Sequence, residues 1–147
     1  MDYKKIGNAI YVRFNRGEEI ISNIVEICKR EKILSAIYSG IGGCSEAIIA
    51  SYIPEKNDFL EHKKNGVLEL ISLNGNISAD DSDNLYHHTH AIFSFHDENN
   101  ELKTIGGHLL KTTVMYTAEI EIRPVTGGVI RRKQDDITGI TVWRLND

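Results

Sequence analysis

The pattern of apolar and polar positions shows one helical stripe followed by a long succession of strand-like alternations. Ile20, Ile21, Ile24, Val25, Ile27 and Cys28 recur with the period of an α-helix, and Glu26, Lys29, Arg30 and Glu31 form the opposite, wet side. This predicts one amphipathic helix. Asn15-Arg16-Gly17-Glu18-Glu19 opens it, with Asn15 or a close neighbour as cap and acidic residues in the first turn. The β-branched and aromatic run at residues 9–14 predicts a first strand before the helix.

Everything after the helix is punctuated like a sheet. Residues 35–39 and 45–53 read as strands around Gly40-Ile41-Gly42-Gly43. Those glycines mark a tight turn or a close backbone approach rather than a phosphate cradle, because no helix follows them. Pro54 to Asn57 supplies a turn, and residues 58–62 a short strand. The apolar density of residues 67–73 predicts a central strand buried on both faces. Asn74-Gly75-Asn76 signals a turn or bulge, and residues 78–84 a polar, acidic, solvated loop without the spacing of a calcium site. A strand at 87–95, a hairpin turn at Asp97-Glu98-Asn99-Asn100 and a return through 102–105 lead into Gly106-Gly107-His108-Leu109. Residues 113–122 form another alternating strand, ended by Pro124 and Gly127-Gly128, and residues 140–145 a short last one. The expected fold class is α+β, a mainly antiparallel sheet with one principal packed helix, in a single domain over residues 1–147.

Composition narrows the function classes. Hydrophobic residues make up 41% and charged residues 26%, ordinary for a soluble globular protein. The apolar runs are too short to span a bilayer, and Met1-Asp2-Tyr3-Lys4-Lys5 does not open a signal peptide, so a cytoplasmic protein is expected. Cys28 and Cys44 read as buried thiols in a reducing compartment. A net charge of −4 lacks the basic footprint of a nucleic-acid binder. The one dense cationic cluster, Arg131-Arg132-Lys133, is followed at once by Asp135-Asp136 and reads as a self-neutralised, solvated loop.

Candidate chemistry lies in His88-Thr89-His90 and Gly106-Gly107-His108. Residues two apart on a strand share a face, so His88 and His90 project side by side, about 6.5–7 Å apart along the backbone. His87 falls on the other face and is left out. The hairpin places His108 at a comparable distance beyond Asn99, so all three can meet across the ladder. Three imidazoles with one open position suit zinc, and nickel, copper or iron also accept such a set. Glu69 interrupts the apolar run at 67–73 and must be paired, protonated or exposed at a cleft. Its functional reading is a general base or a partner for a ligating histidine. Its structural reading is an ion pair with Arg13 or Arg16.

The order and spacing of several motifs resemble the plant-and-prokaryote conserved (PPC) domain family over nearly the whole chain. They are Arg16-Gly17-Glu18, Ser39-Gly40-Ile41-Gly42, Glu69 through Ile77, His88-Thr89-His90, Gly106-Gly107-His108-Leu109, and Val114 with Thr117-Ala118-Glu119. The resemblance implies an antiparallel sheet with a packed helix and a homotrimer. It also implies that His88, His90 and His108 match the metal-binding histidines of prokaryotic members, with zinc as the metal. Plant relatives carry the domain beside DNA-gripping AT-hooks, which should make most of the phosphate contacts; no such basic motif occurs here, so the resemblance leaves DNA as a third partner reading behind a protein or small ligand. Two readings stay open: a metal-binding trimeric module, regulatory or bound to a partner or small ligand, and a zinc-dependent hydrolase or lyase with Glu69 as acid–base group.

Overall fold

A computed structural model describes residues 1–56 and 58–146. Eight strands and one α-helix follow in the order β1 (Asp2–Ile6), β2 (Ala9–Asn15), α1 (Ile20–Arg30), β3 (Ala36–Ile53), β4 (Asp58–Ala79), β5 (Leu85–His96), β6 (Leu102–Pro124), β7 (Arg131–Gln134) and β8 (Thr141–Arg144). The expected class is what is found, a mostly antiparallel sheet with one helix. The chain's first strand is β1, a polar segment with no alternation to betray it, held by antiparallel pairing to β2. Every pairing is antiparallel except the single β4–β7 contact at Ala79 and Arg131.

The long strands are the architecture. β3 pairs with β4 and β6, and β5 also pairs with β4 and β6, so the four pairings close a ring. The inward side holds one cluster including Phe14, Tyr38, Leu70, Phe93 and Ile120. Helix α1 packs against β5 and β6 and buries Ile20, Ile21, Ile24, Ile27 and Cys28, the predicted stripe, with Val25 half-buried at its margin. Its cap is Glu19 rather than Asn15, and its first turn carries no acidic residue. The Glu19 carboxylate accepts from the Ile21 and Ser22 amides at 3.0 and 2.5 Å, and also from Thr112 N of β6 at 3.1 Å. One side chain thus closes the helix end and ties it to the sheet. Asn15 ends β2 instead, its amide donating to Glu18.

Several expected breaks are absent. Residues 40–43 form no turn: β3 runs straight through them with register shifts between Gly40 and Gly42 and between Cys44 and Glu46. A Cβ at Gly40 would lie 2.3 Å from the Glu119 carbonyl oxygen and from Ile120 Cδ1, so the glycine serves close approach of β6. Asn74-Gly75-Asn76 likewise stays in β4, where the Tyr38 ring lies over Gly75, and the irregularity falls between Leu70 and Ser72. The strand at 67–73 is not buried on both faces. Leu68, Leu70 and Leu73 point in, whereas Val67 and Ile71 are 52% and 50% exposed. Val67 and Ile71 stay exposed on the outer side, so only one face of this stretch enters the core.

Arg131-Arg132-Lys133 is also not a solvated loop. It is β7, paired with β8, and Arg132 is only 9% exposed. Cys28 and Cys44 are free and buried as expected, and burial pushes the Cys28 thiol up to about 12. The turn after Ile53 is a short 3-10 helix, Pro54–Lys56; Asn57 lies outside the described residues. Among the described residues no helix is long and apolar enough to cross a membrane.

Candidate metal centre

The period-2 parity of β5 sets the site. Thr89, Ala91 and Phe93 are buried, and His88, His90 and Ile92 face outward between them. Asp97 stabilises the turn to β6 by accepting from the Asn99 and Glu101 amides at 2.9 and 3.0 Å. The resulting register puts His108 directly opposite His90. Gly107, at φ +151°, lies where a Cβ would approach the Ala50 carbonyl oxygen and Ile49 Cγ2 to 3.0 Å. A side chain there would push β6 off β3 and carry His108 away from its partners.

The three sequence-predicted histidines therefore meet. One nitrogen from each of His88, His90 and His108 lies within 4.8 Å of the others, and His108 Nδ1 is 3.2 Å from His90 Nε2. Tetrahedral zinc with Zn–N bonds of 2.0–2.1 Å requires nitrogens about 3.3 Å apart. The His90–His108 pair has that spacing, and the His88 nitrogen lies within 4.8 Å of both. Among the described residues this is the only group of three or more potential ligands gathered so tightly. The titration state also suits a metal. Burial, then the charge of His88 and His90, holds the His108 pKa down to about 4, and burial followed by His90 and Arg132 lowers that of His88. Neutral imidazole is the ligating form. His87 does face away, half-buried, with Nδ1 3.1 Å from Thr89 Oγ1, which in turn hydrogen-bonds the Tyr38 hydroxyl.

Around the cluster stand residues that motif reading did not find. Phe59 flanks His108 with ring centroids 5.6 Å apart, and Tyr52 packs edge-on against Phe59. Opposite His88 in the ladder is Asn76, whose Oδ1 accepts from Arg132 Nη2 at 3.0 Å and Trp143 Nε1 at 3.2 Å. The contacts of Asn76 with Arg132 and Trp143 span 56 and 67 residues of chain, and no local periodicity reports them.

Glu69 is placed elsewhere. It pairs with Ser94, four residues along β5 from His90, which is about 13 Å at strand rise. It is exposed in a separate cleft of about 450 Å³ lined by Ile41, Ile71, Tyr116 and Glu119, with no histidine. Of the three states expected of it, exposure at a cleft is the one found. Arg13 is bonded to Asp2 instead, and neither it nor Arg16 forms an ion pair with Glu69.

A family model described as the Plants and Prokaryotes Conserved (PCC) domain matches residues 1–126. The chain belongs to this family. Solved structures of similar fold match almost all of the chain. One is a plant- and prokaryote-conserved (PPC) protein of Pyrococcus horikoshii, 32% identical, with a TM-score of 0.79 over 99% of this chain and 96% of that one. A metal-containing protein of Archaeoglobus fulgidus is 28% identical, with a TM-score of 0.82 over 98% and 99%. A Bacteroides thetaiotaomicron protein, named provisionally as DNA-binding, is 25% identical, with a TM-score of 0.85 over 97% and 96%. No curated protein matches the chain. The PCC match ends before β7, so Arg132 and Trp143 lie beyond it.

Proposed function

We propose that this chain is a metal-binding, homotrimeric PCC module, one domain acting in the cytoplasm, with zinc held by His88, His90 and His108. The observation that carries the reading is the convergence of three imidazole nitrogens from two adjacent strands. The set has no carboxylate or thiolate, so it suits a borderline transition metal and disfavours magnesium or calcium. When bound, such a metal supplies a Lewis-acidic centre with a position left for an outside ligand. The similar Archaeoglobus fulgidus protein is named for its metal content, which supports the reading.

The hydrolase or lyase alternative loses its acid–base group within one chain, because Glu69 lies about 13 Å along the strand from His90. DNA binding draws on the Bacteroides relative's provisional name, and a net charge of −4 argues against it. Assembly as a trimer draws on the outer sheet face, where Ile41, Ile71 and Tyr116 are 57%, 50% and 62% exposed around one cleft. Apolar groups grouped in this way favour cover by another surface.

The test is elemental mass spectrometry of untagged protein after zinc incubation and dialysis. About one zinc per chain is expected, as three ligands form one site. A triple variant, His88→Ala, His90→Ala and His108→Ala, should keep its circular dichroism and lose the zinc. Equal zinc in parent and variant would sink the reading.

A further inference from the structure

The surroundings of the histidine cluster carry an electrostatic asymmetry. Arg132 is buried, yet its guanidinium has only neutral partners: Nε donates to Ser78 Oγ, Nη1 to the Thr141 carbonyl at 3.0 Å and Nη2 to Asn76 Oδ1 at 3.0 Å. Of the nearby loop carboxylates, Asp83 is engaged by Arg131 at 2.6 Å, Asp81 by Arg144 at 2.7 Å, and Asp80 by the Asn84 and Tyr86 side chains at 2.9 and 3.3 Å. A buried cation without a counter-charge is costly, and the cost is relieved when an anion arrives. Asn76 connects this charge to the site, since it stands opposite His88 in the ladder. The three ligands are uncharged and bring no carboxylate, so a bound dication would keep its full charge beside Arg132.

On the other side of His90 a groove of about 460 Å³ opens along the outer face. Its polar lining is Ser72, Asn74 and Thr104, and apart from His90 no ionisable residue lines it. Asn74 Nδ2 donates to Ser72 Oγ at 2.8 Å, which leaves the amide oxygen and the serine proton for a visitor. Ile92 and Ile105 give the groove an apolar floor. The volume is within the range of small-molecule sites.

We propose that the site takes a small hydroxylated carboxylate. Its carboxylate is drawn to the positive end formed by the histidine-held metal and Arg132, and its hydroxyl-bearing body lies in the groove against Ser72, Asn74 and Thr104. This rests on the metal reading and adds a ligand class to it. Arg132 sets the preference for an anion, and Asn74 the preference for hydroxyl groups over bare hydrocarbon.

The experiment is titration of the zinc-loaded full chain with sodium gluconate, with glucose and sodium hexanoate as comparison probes. Binding is read by calorimetry and by the amide shifts of Gly106 and Gly107, and zinc is measured on the same sample. Gluconate should bind about tenfold or more tightly than glucose, which lacks the charge, and than hexanoate, which lacks the hydroxyls. Arg132→Gln should lose most of the gluconate affinity. Because that residue is buried and its loss can loosen the β7–β8 hairpin, the exposed Asn74→Leu is the second variant. It should weaken gluconate about tenfold and leave hexanoate unchanged. Zinc bound with no gluconate response, equal binding of glucose, or parent-like gluconate binding by Asn74→Leu would overturn the ligand proposal alone. Failure to take up zinc would overturn the metal reading, and this proposal with it.

Discussion

His108 titrates far from its ordinary range. Burial and the neighbouring rings hold its pKa to about 4, against an ordinary 6.5. In the metal-free protein the folded chain therefore binds fewer protons than the unfolded chain between those values. The stability from this group is complete above 6.5 and is lost as pH falls toward 4. Urea midpoints of the metal-free parent should decline from pH 7.5 to pH 5, and His108→Asn should flatten part of that decline; parallel pH profiles would contradict the assignment. His88, His90 and His108 were legible because strand parity and hairpin arithmetic are local rules. Arg132 was not. Its place in a cationic run followed at once by Asp135-Asp136 reads as a solvated loop, and its partners lie 54 and 56 positions away on β4.

At the scale of elements, Glu19 joins α1 to β6. Its carboxylate accepts two helix amides and Thr112 N, so truncation leaves an uncapped helix end and a sheet amide without its acceptor. Glu19→Ala should cost about 2 kcal/mol in urea denaturation, summing a lost cap and a poorly satisfied amide. Glu19→Gln keeps an acceptor oxygen and should cost less, and equal losses would mean the charge matters more than the bonds. The helix stripe was readable, but its start was displaced from Asn15 to Glu19. Asn15 looked like a cap only while the end of β2 was unknown.

For the molecule as a whole, the proposed trimer draws on the exposed face around Ile41, Ile71 and Tyr116. Sedimentation should show a trimer for the parent. Ile71→Glu, which places a charge on that face without touching the inward core, should release monomers that still hold zinc. A parent that sediments as a monomer at high concentration would end the trimer proposal. The same face accounts for the misread strand at 67–73, whose apolar density served two different surfaces. Leu68 and Leu70 enter the core, while Val67 and Ile71 line the outside.

By itself the sequence determined what short-range periodicity encodes: the buried stripe of α1, the parity of β5, and the turn that brings His108 opposite His90. These depend on spacing within a helix or across one hairpin. The tertiary structure alone decided that Gly40 to Gly43 and Gly75 lie within unbroken strands, and that Arg132 is buried beside Asn76. A glycine permits a turn and permits close packing alike. Only the strand or ring lying against it selects between them, and that neighbour comes from far along the chain.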